Sequence, residues 1–239
     1  MPELPPPLPP SERTVGQLIG ETIRAYGDSF WRVLPLGLAY AAVDQACVHR
    51  SYVPTAIIYW AATPLLVFAY IRACQVVLGG RLTRSVVLVA ILVYAPFPAL
   101  HAGYILPGLA WFAFVGLAVP AALVEHLSVR DALRRGRELG LADYVHSLGS
   151  LAALVVVVGV AEITMSAVLH TQGGTNVRVA LFLADLVFTP MLYIGGAMLY
   201  TDQAARIRSP RPDRRRRNAD LHPALDADPA GRADPQGKS

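Results

Sequence analysis

The chain has 239 residues, of which 54% are hydrophobic and only 16% are charged, and its formal net charge is +4. Soluble domains usually carry about 25% charged residues, and here long apolar runs fill Val33–Tyr200, so an ordinary water-soluble fold is excluded. The positive charge is almost entirely arginine beside these runs, which favours anionic lipid headgroups as partners and argues against nucleic acid. The composition therefore predicts an all-α polytopic membrane protein with polar ends.

The first segment, residues 1–13, is rich in proline and is predicted to be disordered. An amphipathic helix is predicted next, over residues 14–29. Thr14 and Gln17 have the spacing of a capping box, and Val15, Leu18 and Ile19 fall on one helical face. A helix of this kind beside an apolar segment is typical of one that lies in the membrane interface, here on the cytoplasmic side.

Six apolar segments follow, and each predicts a membrane-spanning helix, because about 20 residues cross a bilayer and tilt absorbs small differences. The predicted spans lie near residues 33–49, 56–73, 86–99, 105–124, 148–169 and 179–200. The third and fourth spans contain four prolines: Pro96, Pro98, Pro107 and Pro120. Two interpretations of Pro96–Pro107 stay open, a tight helical hairpin turn or a broken helix at a transport site.

A second amphipathic helix is predicted over residues 128–140, also on the cytoplasmic side. Ser128 and Asp131 give it a capping signal, and its apolar face is expected to rest in the membrane interface. Its polar face is predicted to contact anionic headgroups through Arg130, Arg134 and Arg137. Two ion pairs are predicted from their i,i+4 spacing: Asp131–Arg135 and Arg134–Glu138.

The two amphipathic helices share one spacing. Thr14 corresponds to Ser128 and Phe30 to Tyr144, so each copy consists of a capped helix, an aromatic residue and a span. This regularity indicates a degenerate internal repeat of one structural unit.

Arginines also set the predicted orientation. They accompany the first amphipathic helix, the second–third and fourth–fifth connections and the tail, whereas the opposite connections contain only Arg50 and Arg178. The positive-inside rule then predicts a multi-pass plasma-membrane protein with both termini in the cytoplasm. The tail, residues 206–239, is predicted to be disordered. Its basic run would either contact anionic headgroups through Arg214, Arg215, Arg216 and Arg217 or be a solvated tail that only enforces the topology.

Several short motifs in the middle of the chain carry a family resemblance. They are Leu106-Pro107-Gly108, Pro120, Glu125 and the run Ala132-Leu133-Arg134-Arg135-Gly136-Arg137-Glu138-Leu139. With these motifs, and with Thr14–Phe30, the chain resembles the glycerophosphoryl diester phosphodiesterase membrane-domain family, actinobacterial-type integral membrane proteins of uncharacterised function. The resemblance implies a helical membrane domain. It does not imply the hydrolase activity, because that chemistry needs a separate barrel domain with metal-binding acids.

Catalytic motifs are missing from the sequence, which contains no G-x-S-x-G, H-E-x-x-H, phosphate loop or paired-cysteine motif. The prediction is therefore a protein that is not an enzyme, with no cofactor and no metal site. Cys47 and Cys74 are predicted near opposite membrane faces, too far apart for a disulfide.

Three acids inside the predicted spans form a candidate polar pocket: Asp44, Glu162 and Asp185. Each lies roughly six to seven residues from the outer end of its span, which at 1.5 Å per residue puts all three about 10 Å below the outer surface. Intramembrane acids are costly and normally face a bundle interior or water. They would either converge on one outward-open pocket or stay separate, each satisfied by nearby polar groups.

Two function hypotheses follow from these features. The leading hypothesis is a non-enzymatic membrane scaffold or envelope-associated interaction protein, which would bind a protein partner or a second copy of itself through its amphipathic helices and basic tail. The alternative is a small transporter or channel that uses the acidic pocket to bind a cation or to couple protons.

Overall fold

The protein is built from α-helices. The structure, a computed structural model, describes residues 10–103, 105–169 and 174–208. Over these ranges it contains α-helices and one three-residue 3-10 turn but no strand, so the predicted all-α fold class is confirmed. The helices are α1 (Val15–Cys47), α2 (Tyr52–Leu78), α3 (Arg84–Tyr94), α4 (Phe97–Gly103), α5 (Ile105–Val115), α6 (Ala118–Glu125), α7 (Val129–Ala142), α8 (Tyr144–Leu169) and α9 (Gly174–Arg208).

Four helical stretches are long and apolar enough to cross a membrane: Tyr52–Leu78, Leu106–Glu125, Tyr144–Val168 and Asn176–Arg208. A further apolar stretch, Arg84–Leu100, is shorter. Large apolar side chains remain exposed on these helices, among them Ile57, Phe68, Val156, Val160 and Ile163. A surface of this kind fits lipid better than water, because extended apolar patches are rare on soluble monomers.

Helix α1 joins two segments that the sequence predicts as separate elements. It begins at the predicted capping box, where the Gln17 N–H donates to Thr14 Oγ1 over 3.3 Å and the Thr14 N–H donates to Gln17 Oε1 over 3.0 Å. It then continues through Pro35 to Cys47 as one helix of 33 residues. Pro35 removes a single backbone hydrogen bond, and packed neighbouring turns tolerate that loss. The amphipathic segment 14–29 and the span 33–49 are therefore one continuous element.

The third predicted span is divided at Pro96. Helix α3 ends at Tyr94 and α4 begins at Phe97, because Pro96 has no N–H with which to continue the helical ladder. The indole N–H of Trp111 donates to the Val93 carbonyl over 2.8 Å, which satisfies a backbone acceptor next to the break. The prolines thus produce a broken helix here.

The fourth predicted span is divided in the same way. The last regular bond of α5 runs from the Gly116 N–H to the Phe112 carbonyl over 2.7 Å. Pro120 cannot donate to the Gly116 carbonyl, so the ladder is interrupted and α6 begins at Ala118. Both breaks leave short helices whose ends lie inside the helical bundle.

Helix α7 corresponds to the second amphipathic segment. Its N-cap is Ser128, whose Oγ accepts from the Asp131 N–H over 3.3 Å, as predicted. Arg134 contacts Glu138 over 3.8 Å, as predicted, but Arg135 pairs with Glu125 over 3.2 Å and with Glu138, so the predicted Asp131–Arg135 pair is wrong. The acid that attracts Arg135 lies at the end of α6, and tertiary packing brings it closer than Asp131.

The apolar face of α7 contacts protein, which corrects the prediction that it rests in the membrane interface. Ala132 and Leu139 have no exposed surface. A Cβ at Gly136 would lie 2.5 Å from Ala118, and one at Gly140 would lie 2.6 Å from the carbonyl oxygens of α5. Two glycines four residues apart thus let α7 pack at backbone distance against α5 and α6.

Helix α9 reaches beyond the predicted end of its span and includes Arg206, which the sequence assigns to the disordered tail. The Arg206 guanidinium contacts Asp143 over 2.9 Å, donates to the Arg13 carbonyl over 2.7 Å and lies 3.2 Å from His146 Nε2. Arg13 in turn contacts the fully buried Asp202 over 3.0 Å. These five residues, here called the terminal ion cluster, hold the start of α1, the start of α8 and the end of α9 together.

Candidate functional site

The three acids of the predicted pocket meet in the structure. The carboxyl group of Asp185 lies within hydrogen-bonding range of the carboxyl groups of both Asp44 and Glu162. Asp185 is 4% exposed, and no N–H or O–H group of the described residues donates to its Oδ2 atom. A hydrogen bond between two carboxyl groups requires a proton on one of them. The site therefore brings together carboxyl groups that can bind a cation or a proton, and α1, α8 and α9 each contribute one acid.

A close approach of α1 and α9 positions two of these acids. Gly37 of α1 faces the backbone of Leu186 so closely that no Cβ could be accommodated there. Asp44 lies two helical turns after Gly37, on the same side of α1, and Asp185 precedes Leu186. The Gln45 amide also donates to the Arg178 carbonyl over 3.3 Å, which joins the same two helices near the end of α1.

A cavity of about 240 Å³ adjoins the acids. Glu162, Thr189 and the hydroxyl-bearing tyrosines, Tyr40 among them, bring polar groups to its lining, and the remaining lining is apolar or phenylalanine. Tyr40 is also close enough to Asp44 and Asp185 to interact electrostatically with both carboxyl groups. The polar end of the cavity therefore lies beside the three acids. A mainly apolar cavity with a few convergent polar groups is the usual form of a small-molecule site.

Besides Tyr40, five aromatic rings line this cavity: Tyr70, Tyr94, Phe97, Phe112 and Tyr193. Their centroids are 5.4 Å apart for Tyr70–Phe112, 5.6 Å for Tyr94–Phe112 and 6.1 Å for Tyr70–Tyr193, all with steeply inclined planes. Edge-to-face contacts of this kind hold rings in fixed orientations. Tyr94 and Phe97 flank the Pro96 break, so the broken helix contributes directly to the cavity wall.

Thr189 contributes a buried hydroxyl group to the cavity lining. Its side chain is 2% exposed, and its Oγ1 atom has no hydrogen-bond partner among the described residues. Thr189 follows Asp185 by one helical turn, so both face the same side of α9. A buried hydroxyl without a partner normally costs folding free energy, and a ligand that hydrogen-bonds to it would recover that cost.

The predicted headgroup contacts lie elsewhere. Arg130, Arg134 and Arg137 are exposed on the outer face of α7, and Arg137 also lies over the ring of Phe114 at 5.6 Å from its centroid. The tail arginines Arg214, Arg215, Arg216 and Arg217 lie outside the described residues, as do residues 1–9 of the segment 1–13 that the sequence predicts to be disordered. For residues 10–13 that prediction is wrong, because Pro10–Glu12 form a 3-10 turn and the Arg13 guanidinium contacts the buried Asp202. In the described part of the chain, no group of three or more histidine, cysteine or acidic side chains has a metal-holding arrangement.

Sequence reasoning found the acids but missed the aromatic wall. The rings come from α1, α2, α3, α4, α5 and α9, and no spacing along the chain connects them. One available signal was the position of the tyrosines. Tyr70, Tyr94 and Tyr193 lie within the predicted spans, where a buried hydroxyl costs free energy unless it is hydrogen-bonded, although tyrosine prefers the membrane–water boundary.

Comparison with known proteins gave no matching family model, no matching curated protein and no matching solved structure. The resemblance to the glycerophosphoryl diester phosphodiesterase membrane-domain family stays a sequence-based prediction.

Proposed function

We propose that the chain is a small transporter of the cell membrane that binds a cation at Asp44, Glu162 and Asp185 in exchange for protons. The observation that carries this proposal is the contact of three carboxyl groups from three helices. A cation that enters would replace the positive charge of a shared proton, so cation binding and proton release would be linked. The protein is proposed to act without enzymatic chemistry, cofactor or resident metal.

The proposed threading has six crossings. The two further crossings would be α1 and the broken pair α3–α4, in addition to the four long apolar stretches. The terminal ion cluster would lie on the cytoplasmic side with both termini, as the distribution of arginine favours. The acids would then lie in the outer half of the plasma membrane, close to the ends of α1 and α8.

Proteoliposomes that contain a pH-sensitive dye test this proposal. Sodium, potassium or tetramethylammonium chloride is added outside, and the internal pH is followed. At least one of these cations is expected to raise the internal pH in wild-type vesicles, because cation entry expels protons. Asp185→Asn should abolish the response, since the amide cannot take up or release the proton.

Asp131→Asn is the matched control, because Asp131 is a half-exposed acid of α7 outside the site. It should retain the wild-type response. If the wild-type protein moves no protons with any of the three cations, or if Asp185→Asn moves them equally well, the transport proposal fails.

The scaffold hypothesis is the second candidate, and the exposed arginine face of α7 favours it. Arg130, Arg134 and Arg137 are exposed on α7 and are available to an acidic partner or anionic lipids. Chemical crosslinking in membranes, followed by identification of the crosslinked species, tests it. In the variant in which Arg130, Arg134 and Arg137 are all replaced by glutamine, loss of a crosslinked partner would support a scaffold. An unchanged crosslinking pattern would show that these arginines do not bind the partner.

A further inference from the structure

We infer that the cavity binds a protonated amine with an apolar, preferably aromatic, body. The ammonium group would lie between Glu162 and Thr189, and the body would lie among the aromatic rings. This inference rests on the proposed cation site and specifies its ligand.

The polar end of the cavity fits an ammonium group that still carries N–H donors. Glu162 offers carboxylate oxygens, and the carboxyl group of Asp185 lies within hydrogen-bonding range of it. Thr189 offers a buried hydroxyl oxygen without a partner among the described residues. An ammonium ion can donate to both at once, and hydrogen bonds between charged groups are the stronger ones.

The aromatic end of the cavity favours an organic cation over a hydrated inorganic ion. Aromatic rings form much of the cavity lining, and ring faces attract cations and pack well against apolar groups. A small inorganic ion would leave most of the 240 Å³ of mainly apolar space unfilled. An amine with a phenyl group would fill it and would remove apolar surface from water.

Three water-soluble probes separate the contribution of the ammonium charge from that of the aromatic ring. 2-Phenylethylammonium has both groups, ethylammonium has only the charge, and 2-phenylethanol has only the ring. Binding to the detergent-purified full chain is measured by calorimetry and by the shift in thermal unfolding, since a ligand that binds the folded state stabilises it. 2-Phenylethylammonium should bind at least about tenfold more tightly than either of the other probes.

Thr189→Val tests the ammonium position without disturbing the packing. Because the substitution is nearly isosteric and removes a hydroxyl that has no partner in the described part of the chain, the free protein should be as stable as wild type or more stable. Binding of 2-phenylethylammonium should weaken about tenfold. Thr63→Val is the control, since the buried Thr63 hydroxyl donates to the Tyr59 carbonyl and Thr63 does not line the cavity. The Thr63→Val variant should bind 2-phenylethylammonium as tightly as the wild-type protein does.

Phe112→Leu tests the aromatic end. It should weaken binding of 2-phenylethylammonium and leave that of ethylammonium unchanged, because only the larger probe reaches the rings. Equal affinity for all three probes, or wild-type affinity in both Thr189→Val and Phe112→Leu, would overturn the inference.

The outcomes for the two proposals are distinguishable. Proton exchange with sodium, potassium or tetramethylammonium that depends on Asp185, combined with no preference for 2-phenylethylammonium, would overturn the amine site alone. Tight, Thr189-dependent binding of 2-phenylethylammonium in a protein that moves no protons would support the amine site and overturn transport.

Discussion

Individual buried charges hold the ends of the helices together. Asp202 has no exposed surface and contacts Arg13, while Arg206, whose side chain is 8% exposed, contacts Asp143. Burying a charge costs free energy unless a partner compensates it. The buried Asp202 therefore depends on Arg13, and the buried Arg206 depends on Asp143. A sequence shows that such residues are charged, but it does not show that they are buried.

Asp202→Asn should therefore destabilise the protein by about 3 kcal/mol, because it leaves Arg13 buried without its counter-ion. Arg134→Gln is the control, since Arg134 is 72% exposed and its ion pairs should contribute only about 0.5 kcal/mol. Reversible unfolding in mixed micelles measures both values. Similar losses for the two variants would contradict the proposed role of the terminal ion cluster.

At the scale of elements, small residues decide which helices touch. Helix α7 approaches α6 and α5 through Gly136 and Gly140, and its capping residue Ser128 sets where it begins. The cap follows from the sequence, because its hydrogen bond joins residues three apart. The partner of the glycine face does not, because a glycine-containing stripe is compatible with either lipid or another helix.

Gly136→Ala should destabilise the protein by about 1–3 kcal/mol, because the new methyl group would lie 2.5 Å from Ala118. Gly149→Ala is matched to it, since Gly149 also lies in a helix but has no atom within 4 Å of the new methyl position. That variant should be neutral or more stable by up to about 1 kcal/mol, because alanine favours the helix. The same unfolding measurement compares them. A tolerated Gly136→Ala would show that α7 does not pack at this distance.

For the whole molecule, the property to be tested is the membrane topology, that is, which side of the membrane each connection and each terminus occupies. The sequence predicts both termini in the cytoplasm, and the terminal ion cluster joins the start of α1 to the end of α9. These two ends therefore lie on the same side of the bundle. An odd number of crossings between them would contradict this arrangement.

Single-cysteine labelling tests the threading in a background without Cys47 and Cys74, which are both free thiols. A membrane-impermeant maleimide should label Ser51→Cys in intact cells, because this exposed residue precedes α2 on the predicted outer side. Arg134→Cys, exposed on α7, should react only after permeabilisation. The opposite pattern would invert the orientation.

Local features of this protein follow from its sequence alone. Apolar runs set the helical fold class, and the caps at Thr14 and Ser128 set two helix starts, because each depends on residues a few positions apart. The prolines mark where a helix can be interrupted, but they leave open whether the chain turns or only breaks there. The sequence also indicates which acids are costly inside an apolar segment.

Only the tertiary structure decides what these features contact. The convergence of Asp44 with Asp185 depends on the backbone approach at Gly37, and the aromatic cavity assembles rings from six helices. The burial of Arg206 likewise depends on groups more than sixty residues away or at the opposite end of the chain. Periodicity along one helix states which face is polar, but the identity of the neighbour is set by packing between helices, and that information is not local.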